Sequence, residues 1–108
     1  MDPHRLAEER SIAYHRAIAQ RLLEDPSLLE LARARVRHWL ATLRPVPTYA
    51  AGWDEILARD VQAIATFLVD PGERARELRQ SSPFAGALSP RERWRLWRET
   101  RAAVEGGV

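Results

Sequence analysis

The positions of the prolines constrain this chain more than any other feature. They stand at 3, 26, 45, 47, 71, 83 and 90. Proline has no N–H to give inside a helix and its ring clashes with the preceding turn, yet it suits a helix's first position. Each proline therefore marks a place where one helix stops or another can begin. The segments between them are rich in helix formers, and none alternates apolar and polar residues with the period of two that a half-buried strand needs. The chain is predicted to be all-α, a compact bundle of about five to six helices with a long N-terminal helical hairpin.

Asp2 and Pro3 are placed to cap and open a first helix over residues 3–24. In it Ala7, Ser11, Tyr14, Ile18 and Leu22 share one face, with Ile12, Ala19 and Leu23 beside them. Asp25 and Pro26 should end that helix and restart the next, and so short a turn predicts antiparallel packing of the two. Leu29, Ala32, Val36, Trp39, Leu40 and Leu43 give the second helix its apolar face. Pro45 and Pro47 form a linker. Short helices are expected at residues 48–58 and 61–69, the latter capped by Asp60, with Trp53, Ile56, Leu57, Ile64, Ala65 and Leu68 supplying core. Gly52 should permit a close approach near Trp53. Asp70-Pro71-Gly72-Glu73 reads as a capping box opening a fifth helix to about residue 80, and Ser89-Pro90-Arg91-Glu92 as another opening a sixth. Glu105, Gly106, Gly107 and Val108 are expected to fray. The 108 residues suffice for one domain spanning 1–108.

All 17 basic residues are arginines, against 15 acids, so the net charge is only +2. Every positive group is a planar, permanently charged fork. With charge so nearly balanced, attraction to a phosphate backbone is weak overall, and nucleic acid is not the favoured partner. Cysteine is absent, which excludes disulfides and thiolate metal sites. The charged N-terminal residues hold no apolar core of signal-peptide length, and no run approaches a membrane span. A cytoplasmic protein with no membrane role is expected.

No glycine-rich phosphate loop or nucleophile elbow occurs. The adjacent acids Glu8-Glu9 and Asp54-Glu55 point to different sides of a helix, so no catalytic residue is assigned and no enzyme is expected. His4, Glu8 and His15 form a row that resembles metal-ligand spacing. The paired Glu-x-x-His signature of helical di-metal bundles is missing, so neither a metal nor another cofactor is expected. Arg91, Arg95, Arg98 and Arg101 recur at helical spacing beside Trp94, Trp97 and Val104. Tryptophan and arginine are the residue types most enriched at binding hot spots, which makes this helix a candidate partner-binding face; the alternative places both tryptophans in the core. Arg79, Gln80, Phe84 and Gly86, in the connector between two arginine-rich helices, have no local reason to be those residues. Arg79, Gln80 and Phe84 therefore join Arg91, Arg95 and Arg98 as candidate partner contacts. Arg33, Arg35 and Arg37, with His38, form a basic side of the second helix and a candidate nucleic-acid contact.

Residues 88–93, Leu-Ser-Pro-Arg-Glu-Arg, resemble the opening helix of LuxR-type helix-turn-helix proteins, but the residues after Arg98 leave no room for a recognition helix. A broader resemblance rests on Ala7-Glu8-Glu9-Arg10-Ser11, Tyr14-His15-Arg16, residues 22–39, Leu68-Val69-Asp70, residues 76–86 and residues 88–94. Together they resemble a group of small bacterial helical proteins encoded beside nucleotidyltransferase-like toxins. That resemblance implies an antitoxin: a protein partner that docks on a toxic enzyme and occludes its site, through Arg79, Gln80, Phe84, Arg91, Arg95 and Arg98. The rivals are a DNA-binding regulatory protein, dimeric or otherwise homo-oligomeric, and a structural subunit of a larger complex.

Overall fold

The proline boundaries become helix boundaries in the computed structural model, which describes residues 2–106. Six helices follow in order: α1 (Pro3–Glu24), α2 (Leu28–Thr42), α3 (Thr48–Leu57), α4 (Val61–Leu68), α5 (Glu73–Arg79) and α6 (Pro90–Gly106). No strand occurs among the described residues. The fold is the all-α bundle that the patterning predicts. Glu105 and Gly106, where fraying is expected, are the last residues of α6; Gly107 and Val108 lie outside the described residues.

Local chemistry explains the clean starts. The Asp2 carboxylate accepts from the His4 N–H at 3.0 Å, with Pro3 in the first helical position. Asp60 accepts from the Ala63 N–H at 2.9 Å. At α6 the capping box closes reciprocally: the Glu92 N–H donates to Ser89 Oγ at 3.1 Å and the Ser89 N–H to Glu92 Oε1 at 3.2 Å. Each such cap satisfies donors that a helix's first turn cannot pair internally.

Two boundaries differ from expectation for a shared reason. Asp25 does not cap α2 from beside Pro26; it accepts from the Ser27 N–H at 3.2 Å, forming a turn that delays the helix to Leu28. Asp70 likewise accepts from the Gly72 N–H at 2.7 Å, and Gly72, with no side-chain cap, stands ahead of α5. In both places the aspartate bonds the N–H two residues on, as Asp2 does, but here that N–H lies ahead of the first helical residue, so the bond closes a turn before the helix.

Packing departs further. α1 and α2 are joined by a short turn, but α1 packs chiefly on α4 and α6, while α2 packs on α3. The predicted antiparallel contact between α1 and α2 is thus replaced by packing on helices later in the chain. α5 closes the assembly with smaller contacts to α1, α3 and α4.

The centre is Trp53, with no exposed surface. Its Nε1–H donates to the Leu78 carbonyl at 3.0 Å, so the indole is buried without an orphaned donor. Phe67 and Phe84 stand edge-on to it, with ring centroids 5.9 and 6.1 Å away. Gly52 admits the Leu78 side chain, whose Cδ2 would lie 3.0 Å from an added Cβ; the close approach foreseen near Trp53 is to Leu78. Ile18, Leu22, Leu29, Val36, Ile56, Ile64, Leu68 and Leu88 complete the core.

Phe84 is 4% exposed, so its ring plugs the core from the connector between α5 and α6. Gly86 follows with φ of +89°, a conformation that residues with a Cβ rarely adopt, which supplies the local reason the sequence had not shown. Replacing Phe84 with Ala removes a ring from the Trp53 cluster and is expected to cost about 3–5 kcal/mol, measured by urea denaturation of the purified chain.

Candidate functional site

The sequence-selected residues separate into three places. The first is the outer side of α6. This helix buries none of its residues completely, although Leu96 packs against the core. Trp94 is 57% exposed and stacks on Trp97 with centroids 5.1 Å apart and planes 12° from parallel. The Arg101 guanidinium lies 5.3 Å from the Trp97 ring centre, within cation–π range. Trp97 is half-buried and, with Arg10, Tyr14, Pro90, Arg93 and Trp94, lines an open groove between α1 and α6. Arg91, Arg95 and Arg98 are exposed on the side facing solvent. Arg95 comes within 3.8 Å of Glu99; Arg91 and Arg98 pair with no acid among the described residues.

Besides its packing along α1, an ion pair at its start ties this helix to the body of the fold. Arg21 of α1 donates through both terminal nitrogens to the two oxygens of Glu92 and, at 3.0 Å, to the Ala87 carbonyl. The fork geometry makes this among the stronger kinds of charged contact. Glu92 thus serves its capping box and the Arg21 fork together. The Arg21 guanidinium, followed by the Ser89 hydrogen bonds, lowers its carboxyl from 4.5 to about 2.

The second place is a cleft of about 360 Å³ between α1 and α5, lined by His4, Ala7, Glu8, Ser11, Arg76, Arg79 and Gln80. Arg79 is buried, 5% exposed. Its Nη1 donates to the Leu68 carbonyl at 3.2 Å and the Asp70 carbonyl at 2.7 Å, where α4 ends. Gln80 is exposed beside it. Arg79 and Gln80 therefore belong to this cleft, Phe84 belongs to the core, and none of the three joins the α6 arginines in one surface.

The third place is α2. Arg33 donates to the Leu57 carbonyl at 3.0 Å and to Glu30 at 2.9 Å, and Arg35 to the Pro83 and Ala85 carbonyls at 3.1 and 2.9 Å. Of the three arginines proposed for nucleic acid, only Arg37 is exposed without a described partner. The other two are committed to the fold.

One constellation escaped the sequence. His15 is buried, with Nδ1 2.8 Å from the Ser11 carbonyl and Nε2 2.9 Å from Ser82 Oγ. Since a carbonyl only accepts, Nδ1 carries the proton and Nε2 accepts from the serine. Burial first, then the nearby Arg79 charge, pushes the imidazole below its ordinary value despite the Ser11 bond. A serine on a histidine resembles a nucleophile on its base. Here Ser82 Oγ is also taken by the Phe84 N–H at 3.2 Å, and the pair acts as a tie between α1 and the connector. No sequence signal could have found it, because the two residues lie 67 positions apart. His15 is drawn away from His4 and Glu8, and no three His, Asp or Glu side chains gather into a metal-binding group among the described residues. Nor is any helix long and apolar enough to cross a membrane among them.

Comparisons with known proteins found no matching family model, and no significant match among curated proteins or solved structures.

Because Glu92 titrates lower in the folded chain than in the unfolded one, its contribution to stability is complete above about pH 4.5 and is lost as pH falls toward about 2. Replacing Arg21 with Ala is expected to raise the Glu92 midpoint toward 4.5 and to move acid loss of helicity to higher pH. NMR titration of the Glu92 side-chain carboxyl and circular dichroism check the two effects.

Proposed function

We propose that this chain is a non-catalytic protein-binding module that docks on an enzyme through the outer face of α6, as an antitoxin covers a nucleotidyltransferase-like toxin. The observation that carries the reading is that α6 leaves Trp94 mostly exposed beside arginines that have no internal use. A stacked tryptophan pair, one ring mostly exposed and the other half-buried with a guanidinium on it, suits the centre of an interface.

Charge selects the occupant. Arg91 and Arg98 lack acidic partners, and Arg10 and Arg93 border the adjoining groove, so the face complements a surface of carboxylates. The metal-binding acids of a nucleotidyltransferase would provide one, and arginine forks pair with carboxylates bidentately. A second copy of this chain is a poorer occupant, because a two-fold pairing would set the arginine row against itself. DNA binding through α2 is disfavoured by the internal use of Arg33 and Arg35. The protein acts, on this reading, in the bacterial cytoplasm.

The test is co-expression with the product of the adjacent gene. A stable complex that silences that product's activity is expected. Changing Arg91, Arg95 and Arg98 together to Ala, or Trp94 to Ala, should weaken it by about 30-fold or more, the loss typical of hot-spot residues. Each change alters an exposed side chain, so the free chain's thermal midpoint should scarcely move. Absence of a complex, or binding and stability lost in equal measure, defeats the proposal.

A further inference from the structure

We infer that the cleft between α1 and α5 is a binding site for a small organic carboxylate, whose anionic group completes the buried guanidinium of Arg79. Among the described residues Arg79 is the only arginine closed into the interior. Arg21, Arg33, Arg59, Arg74, Arg76, Arg95 and Arg101, all more exposed, each have an acidic partner, and Arg79 has none. Its Nη1 is spent on two carbonyls, while Nη2 is enclosed without any hydrogen-bond partner. A water molecule there would accept a hydrogen bond, but no acid lies within ion-pair distance of the charge, which Asp70 and Glu8 favour only from farther away, and a buried cation without a paired counterion is costly.

The cleft that Arg79 lines is furnished for an anion. Arg76, Ser11, Gln80 and His4 can all donate into it, and Ala7 offers a small apolar wall. Its one carboxylate, Glu8, lies 3.6 Å from Arg76, both side chains being nearly half exposed. So loose and exposed a pair contributes little to stability. It separates as the ligand enters, and the incoming carboxylate takes Arg76 and Arg79 together. Glu8 also selects the ligand class. With Arg76 and Arg79 against Glu8 the cleft carries a net charge of +1, which a monocarboxylate neutralises and a phosphate dianion overshoots, and the volume of about 360 Å³ limits the ligand to a small molecule.

Propionate is the probe, titrated at constant ionic strength against the full chain and followed by amide chemical shifts and thermal midpoint, with chloride and inorganic phosphate as controls. Saturable binding in the millimolar range is expected, with shifts centred on residues 4–11 and 76–80. Replacing Arg76 with Gln should weaken it by about tenfold, the loss of one charged hydrogen bond, and replacing Glu8 with Gln should tighten it. Bound anion offsets the Arg79 charge, so the His15 ring should titrate at higher pH in the complex. Arg79→Gln would disturb the end of α4 as well, and the exposed Arg76 and Glu8 variants keep the test independent of folding. A response that does not saturate, that chloride reproduces, or that both variants leave unchanged overturns the proposal; tighter binding of phosphate overturns the carboxylate class. No α6 residue lines this cleft, so the outcome is independent of whether α6 docks on an enzyme.

Discussion

Short helices create a problem that long ones postpone: every helix end leaves carbonyl oxygens without an internal partner, and six helices in so small a chain place many of them near the interior. This protein meets that need with arginine. Arg33 closes the end of α3 at the Leu57 carbonyl, and Arg79 closes the end of α4 at Leu68 and Asp70. Arg35 and Arg21 hold the connector carbonyls of Pro83, Ala85 and Ala87. A planar fork can reach two oxygens at once and carries a positive charge suited to the negative end of a helix. With these struts in place the connector can fold inward and carry Phe84 against Trp53.

The same economy decides which arginines are free for anything else. Those on α2 and at the end of α5 are drawn inward by unsatisfied carbonyls, which removes most of the basic face that α2 displays on paper. Those on α6 are not, because their helix lies on the outside, packed along α1 and tied to it by Arg21 on Glu92, and buries none of its side chains completely. Exposure of the Trp94 and Trp97 stack and freedom of Arg91 and Arg98 thus share one cause. Arg79 is the exception within the struts, since its second nitrogen is enclosed with nothing to receive its hydrogens.

The candidate site was legible only where the chosen residues lie exposed on one element. Arg91, Arg95 and Arg98 could be grouped because helical period alone sets them side by side. Phe84 looked like a partner contact because it sits in a connector, and a connector's path into the core depends on ties from α1 and α2 that sequence spacing does not reveal. Gly86 lacked a reason until its left-handed backbone supplied one. His15 and Ser82 meet across 67 residues, and neither residue's neighbours hint at the other.

What the sequence by itself determined is what acts within a few residues: the all-α class, the helices opened by Asp2, Asp60 and Ser89, and the apolar stripes of α1 to α4. Caps and helical periodicity are short-range, so their outcome does not depend on the rest of the chain. Tertiary structure alone decided that α1 packs on α4 and α6 instead of α2, that Arg33, Arg35 and Arg79 turn inward, and that α6 keeps its tryptophans near the surface. Those choices follow from which distant carbonyl or apolar face competes best for each side chain, a competition that begins only when the helices meet.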